Sequence, residues 1–188
     1  YASTSYQTAQ DYTKVTSYRL EEEKMAVIIQ KMVGAQHGSR FYPEFAGVGK
    51  SYNFYPLPPQ RTNDGLVSVA LGLGKTVVDG GNTVRFCPKY PTDILQFYSA
   101  EETLNNSQQQ FFALQLDGES TFGLETHDMQ IHEYDLGIAE LDGTLRYCGS
   151  TYSSENDAIY DGLSRPGTRV VTFSPILRFK LFPLPAIL

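Results

Sequence analysis

The stretch LVSVALGLGKTVVDGGNTVRFCP, residues 66–88, restricts the fold more than any other part of this chain. LVSVAL is a short apolar run with β-branched residues, the pattern of a buried strand. GLGK follows as a glycine turn, and KTVVDGG suits one or two helical turns stopped by Gly80 and Gly81. NTVRFCP returns as a strand that Pro88 ends. Strand, turn, short helix and strand follow in close succession, and the ordinary globular composition, 41% hydrophobic and 19% charged, excludes a coiled coil. Gly74-Lys75-Thr76 also invites a phosphate-loop reading. A Walker A loop needs another glycine five positions before the second one, because its backbone N–H groups wrap the phosphates. That position holds Val69, so the motif fails. Two readings stay open. One is a plain glycine turn between strand and helix. The other is a different phosphate-facing turn, in which Gly72 and Gly74 let backbone approach an anion beside the Lys75 charge.

The rest of the pattern is α+β, mostly antiparallel, with few short helices. Residues 4–19 allow a helix with Tyr12, Val15 and Tyr18 near one face. MAVIIQKMV, Met25–Val33, reads as a short buried strand by its length and β-branched centre. Gly34 to Arg40 reads as a turn, FAGVGKSYNFYP as a strand closed by Pro56, and Leu57–Gly65 as a loop. Ser99-Ala100-Glu101-Glu102 fits a capping box and predicts a helix over about residues 100–108. FFALQL, MQIHEYDL, GIAEL and LRYCGS predict strands, with Asp117-Gly118 and Asp142-Gly143 as turns. Ser154 to Gly162 predicts a small capped helix, and RVVTF and ILRFKLF two closing strands.

A chain of 188 residues makes one domain and needs no disulfide or metal to build its core. Its net charge of −6 argues against a nucleic-acid surface as the main function. The charge is uneven: residues 1–100 hold ten Lys/Arg and eight Asp/Glu, and residues 101–188 hold five and thirteen. The first part is therefore electrostatically the better place for an anion. Cys87 and Cys148 lie outside any short metal or redox motif and read as two free thiols, which fits a cytoplasmic protein. No run reaches the ~18 uninterrupted apolar residues of a membrane span, and the first twenty residues are polar rather than a signal peptide. Both ends read as cut, so the chain is expected to be a piece of something longer.

The histidines carry no metal site. His127 and His132 are five residues apart and point to opposite faces of a strand, or roughly 140° apart on a helix. Glu101/Glu102 and Asp157/Asp161 read as helix-terminal and solvated charges, and no nucleophile–base motif occurs. No residue is assigned a catalytic role.

MAVIIQKMV resembles the strand of the nucleotide-binding domain of phosphoenolpyruvate synthases and pyruvate phosphate dikinases. The family pattern there is (M/A)-A-V-x-V-Q-x-M-V. The next segments of the chain are similar in order: GVGKSYNFYP, the LPPQRTNDG loop, then GLGKTVVDGG for the family's G-L-G-E-x-V-V-x-G. The likeness runs over about residues 1–90, returns in RVVTFSPILRFKLFPLPAIL, and leaves residues 91–188 largely as a β-rich extension. It implies a single truncated domain over residues 1–188 with a partial ATP-grasp fold. In the parent enzymes such a domain transfers a phosphoryl group from ATP to a histidine of another domain, which passes it on to pyruvate to give phosphoenolpyruvate.

Carried over by position, Gln30, Lys31, Met32 and Val33 would border the adenine. Gly72, Gly74 and Lys75 would lie beside the phosphates. ATP and Mg²⁺ are the implied ligands, pyruvate and phosphoenolpyruvate the partners of other domains, and neither nucleic acid nor a membrane is expected. Two positions depart from the family: Lys75 stands where it has glutamate, and Tyr55 where it has aspartate. The family's metal ligands and N-terminal basic residues fall outside the chain, so the fragment alone is expected to be inactive. The alternative is a catalytically degenerate ATP-grasp scaffold that serves as an interaction or regulatory module.

Overall fold

A computed structural model describes residues 11–12, 14–15, 26, 28–116 and 131–179. By its contacts the chain divides into two compact units, Tyr1–Met32 and Val33–Leu188. In the first, Asp11-Tyr12 and Lys14-Val15 have helical backbone, as the reading of residues 4–19 anticipates. Its apolar run is a correction. Ala26 and residues 28–32 carry no strand, join none of the sheets, and leave Ile29 92% exposed. A strand needs a neighbour's N–H and C=O groups, and an apolar run cannot by itself specify that neighbour.

The second unit is α+β, and every strand pair is antiparallel. Its strands are β1 (Ala35–His37), β2 (Arg40–Tyr42), β3 (Ala46–Lys50), β4 (Leu66–Ala70) and β5 (Val84–Phe86), with helix α1 (Lys75–Val78) between β4 and β5. Helix α2 (Ala100–Asn106) leads to β6 (Gln110–Gln115), and β7 (Ile131–Asp135) runs into helix α3 (Leu136–Leu141). The chain continues through β8 (Gly149–Ser153), β9 (Ala158–Asp161), β10 (Thr168–Val171) and helix α4 (Ser174–Leu177). The sheets are ordered β1-β2-β6-β7, β3-β4-β5 and β10-β8-β9. One core joins all three, including Tyr42, Val69, Leu71, Phe86, Phe111 and Phe173. Removing a side chain of this size from water is worth roughly 2–3 kcal/mol.

Where the sequence pattern is locally decisive, the structure agrees with it. LVSVA is the central strand of its sheet, with Val67 and Val69 buried. Ser99 caps α2, its Oγ accepting the Glu102 N–H at 3.1 Å. FFALQ pairs in register with β7, Phe111 opposite Tyr134.

Five expectations give way to stronger local chemistry. Gly34–Arg40 is a hairpin rather than only a turn, because Gly38 at φ +60° lets β1 reverse into β2. GIAEL is helical: Asp135 Oδ1 accepts the Ile138 N–H at 3.1 Å, and Leu136 and Ala139 bury one face. LRYCGS begins as a 3-10 turn, Leu145–Tyr147, before β8 starts at Gly149. Ser154 to Gly162 is a turn followed by β9, with Asp157 at φ +47° reversing the chain. Ile176 and Leu177 of ILRF close helix α4, which starts at Ser174 with Pro175 in its first turn. Residues 117–130, with the Asp117-Gly118 turn and His127, and residues 180–188 lie outside the described residues.

Cys87 and Cys148 are free and buried. Burial pushes the Cys148 thiol up to about 12, so it stays protonated. No helix among the described residues is long and apolar enough to cross a membrane.

Candidate functional site

β4 delivers the chain into the turn Leu71-Gly72-Leu73-Gly74. Leu71 and Leu73 bury their side chains and anchor it, while Gly72 decides how closely neighbouring backbone can come. Gly72 has φ +83°, and a Cβ there would lie 2.8 Å from both the Phe111 ring and the Phe112 carbonyl oxygen. Only glycine fits that conformation at that distance. At Gly74 a Cβ would meet only the Ala46 methyl, at 3.8 Å. Gly72 is thus required by packing on β6, whereas Gly74, with φ −61°, has ordinary helical backbone and room for a side chain.

Backbone bonds hold the turn shut. The Leu73 N–H donates to the Phe112 carbonyl at 2.9 Å, and the Val77 and Val78 N–H groups both donate to the Gly74 carbonyl. The Gln108 side chain, 4% exposed, accepts the Leu71 N–H at 2.8 Å and donates to the Leu71 carbonyl at 3.0 Å. Lys75 Nζ lies 2.9 Å from Asp79 Oδ2 and 5.5 Å from the centre of the Phe112 ring. That pair is largely solvated, so it adds only about 0.3–0.5 kcal/mol of stability. Next to the turn is a cleft of about 360 Å³, lined among others by Thr76, Gly81, Asn82, Phe112 and Glu133. Thr76 Oγ1 is buried there without a hydrogen-bond partner.

Chemically the arrangement offers a pre-shaped backbone surface, one ammonium and a cleft of mixed lining to which Asp79 and Glu133 bring carboxylates. The ammonium suits an anionic group, as ATP has, at the turn rather than deep in the cleft. The described residues alone do not suit a metal: among them no three His, Cys, Asp or Glu side chains converge. Lys75, where the resemblance has a carboxylate, would repel a cation. Tyr55, the other departure, is exposed, its backbone N–H held by Asn53 Oδ1 at 3.0 Å.

The stronger electrostatic cluster lies elsewhere. Arg40 grips Asp142 with two hydrogen bonds, at 3.0 and 2.6 Å, and the Tyr42 hydroxyl donates to Asp142 Oδ2 at 2.7 Å. Burial opposes the charge on Asp142, but the bonds from Arg40 and Tyr42 outweigh it and hold the carboxyl below its usual value. Burial pushes the Tyr42 phenol well up. Arg169 clamps Glu140 at 2.9 and 2.6 Å and, chiefly by that bond, lowers its pKa. Every charge here is answered by another side chain, the signature of a structural network rather than of a site awaiting substrate.

Of the residues singled out in the sequence, Gly72, Gly74 and Lys75 come together on one turn of the second unit. Val33 opens that unit as exposed irregular chain; Gln30, Lys31 and Met32 belong to the first unit and are likewise exposed. His132 sits on β7 opposite Ala113. Sequence reasoning misses Gln108. It is the first of three consecutive glutamines, and no spacing rule marks which of them turns inward.

The family model described as pyruvate phosphate dikinase, AMP/ATP-binding domain, matches residues 1–142. No curated protein and no solved structure matches the chain significantly. The match takes in the glycine turn, α2, β6 and Gln108 and spans most of the sequence. The chain therefore belongs to the pyruvate phosphate dikinase AMP/ATP-binding domain family, whose members are ATP-dependent phosphotransferases.

Proposed function

We propose that this chain contributes one wall of the ATP site of a phosphoenolpyruvate synthase-like phosphotransferase. The parent reaction is the ATP-dependent phosphorylation of pyruvate through a phosphohistidine on another domain. In this reading Gly72, Gly74 and Lys75 face the phosphates, and Gln30, Lys31, Met32 and Val33 border the adenine through backbone groups. The carrying observation is the turn itself: a glycine-shaped backbone with one ammonium at its exit, inside the family-matched region. Mg²⁺ would come with the nucleotide and take its protein ligands from outside the described residues. Phosphoryl transfer of this kind is largely positioning and charge neutralisation. This chain's part is to orient the phosphates and to supply the Lys75 charge.

A second reading has its own observation. Lys75 is paired with Asp79 and replaces the family's carboxylate, which favours a scaffold that has lost catalysis and serves as an interaction or regulatory module.

A thermal-shift titration of the intact protein with ATP and with AMP, with and without Mg²⁺, separates the two. At ten times Kd a ligand adds about 1.4 kcal/mol of stability, a shift of a few degrees for a chain of this size. Saturable stabilisation supports the nucleotide wall. No shift with either nucleotide at millimolar concentration overturns it and leaves the scaffold reading.

A further inference from the structure

We infer that Gln108 is a positioning residue for the nucleotide site, setting the shape of the glycine turn without touching the ligand. The inference rests on reading that turn as a nucleotide wall. β3 pairs with β4 only as far as Ala70, and β5 pairs with it only over Val67–Val69. At Leu71 the chain leaves the sheet, so its N–H and C=O lose any strand partner. The Gln108 amide takes over there. Its Oε1 accepts the Leu71 N–H at 2.8 Å, and its Nε2 donates to the Leu71 carbonyl at 3.0 Å and the Gln110 carbonyl at 2.8 Å. One side chain thus reproduces both hydrogen bonds of a ladder rung at the residue that opens the turn.

The neighbouring bonds make this clamp directional. Leu73, two residues on, donates to the Phe112 carbonyl at 2.9 Å, and the Phe111 ring lies against Gly72. Residues 108–112 therefore hold the turn on both sides of Gly72 and fix which way its peptide planes face. The clamp is braced in turn: Asn82 Nδ2 donates to the Ser107 carbonyl at 3.3 Å, and Gln109 Nε2 donates to the Ser107 hydroxyl at 3.1 Å. Gln108 borders the cleft beside the turn, but both its Nε2 hydrogens and an Oε1 lone pair are spent on backbone groups, so the positioning effect runs through the turn.

The geometry dictates how substitutions behave. In Gln108→Leu, Leu71 and Gln110 lose their partners and the turn is free to reorient. In Gln108→Glu the acceptor for the Leu71 N–H survives, but an ionised carboxylate would face two carbonyl oxygens. That environment raises the carboxyl pKa, and the protonated acid recovers one donor. A raised folded-state pKa means that the clamp is restored below it and lost as pH rises through it.

The test is isothermal titration of ATP into wild-type protein, Gln108→Leu and Gln108→Glu, with a melting curve for each. The Glu variant is read relative to wild type at about pH 5.5 and about pH 8, which bracket a raised buried carboxyl. The expected result is folded variants, a loss of affinity of about tenfold or more in Gln108→Leu, and a deficit in Gln108→Glu that shrinks as pH falls. Should Gln108→Leu fail to fold, the pH-dependent deficit of Gln108→Glu carries the test. Wild-type binding with unchanged affinity in folded variants at both pH values overturns the positioning role and leaves the nucleotide wall standing. Absence of binding by wild type itself overturns both.

Discussion

The glycine-turn region, residues 46–116, and the carboxyl-terminal region, residues 131–179, are fastened by different means. In the first, the clamps are amide side chains bonded to backbone, beside the exposed-lysine pairs Lys75–Asp79 and Lys89–Asp64. Gln108 clamps Leu71, and Gln96 does the same for β5, accepting the Arg85 N–H at 2.8 Å and donating to the Thr83 carbonyl at 3.1 Å. In the second, side chains bond mainly to one another, although Arg169 and Thr151 also reach the Arg165 and Gly162 carbonyls. Asp142 takes Arg40 and Tyr42 of β2, Glu140 takes Arg169, and Ser150 meets Thr172 at 2.6 Å. The difference separates two tasks. Amide-to-backbone clamps fix where peptide groups point, as a surface that meets a ligand through its backbone requires. Charge pairs that answer one another lock the packing of the elements that carry them.

The sharpest way to break the comparison is at Gly72. Gly72→Ala adds a methyl at φ +83° against a backbone oxygen at 2.8 Å, with no flexible side chain able to yield. Left-handed strain and overpacking together should cost about 3–4 kcal/mol. The control is Gly80→Ala, which has a similar φ of +79° but open space around it, and which should cost only about 1 kcal/mol. Denaturant melts of the two variants read the difference directly. Equal losses would mean that close approach to β6 is not what holds the turn.

Next in size is the Arg40–Asp142–Tyr42 network. Asp142→Ala leaves a partly buried guanidinium without its acceptor, while the Tyr42 phenol keeps Thr144 Oγ1 at 3.1 Å, and about 2–3 kcal/mol should be lost. The pH dependence has a definite sign. The folded-state pKa of Asp142 is depressed, so its contribution is complete above the unfolded value of about 3.9 and disappears as pH falls through the folded value. Stability curves of wild type and Asp142→Ala should therefore run apart above about pH 4 and converge below it. Parallel curves down to acid pH would show that the carboxylate charge does not matter there.

How well the sequence can be read tracks the same division. LVSVA, the GLGK turn, the Ser99 cap and FFALQ are legible because their determinants lie within a few residues: alternation, glycine, a capping oxygen. The carboxyl-terminal region misleads where its determinants are distant or a single residue overrides the pattern. Asp135 turns GIAEL into a helix, and Asp157 in the left-handed region turns an expected helix into a hairpin. MAVIIQKMV shows the opposite failure: it has strand composition, yet strand geometry depends on a partner that composition cannot name. At the candidate site the glycines and Lys75 announce themselves. Gln108 cannot, because its role depends on Leu71, 37 residues away.

The smallest expected effect on stability is at Lys75, which makes it the cleanest probe of function. Its ion pair with Asp79 is i,i+4 on a short helix, with side chains 39% and 55% exposed. Lys75→Met removes the charge, keeps a straight side chain over Phe112, and should shift stability by no more than about 0.5 kcal/mol. If the ammonium serves only to hold Asp79, nucleotide affinity will not move either. If it faces phosphate, Lys75→Met will weaken ATP, with the loss shrinking at high salt as screening removes the Coulomb term. Lys75→Glu then decides between the two functional readings. Metal-dependent nucleotide binding that appears only in the glutamate variant would mark the turn as a scaffold decayed from an active ancestor. Further loss of binding would identify Lys75 as the phosphate contact of a working variant site, with charge neutralisation moved from a carboxylate-held metal to the side chain itself.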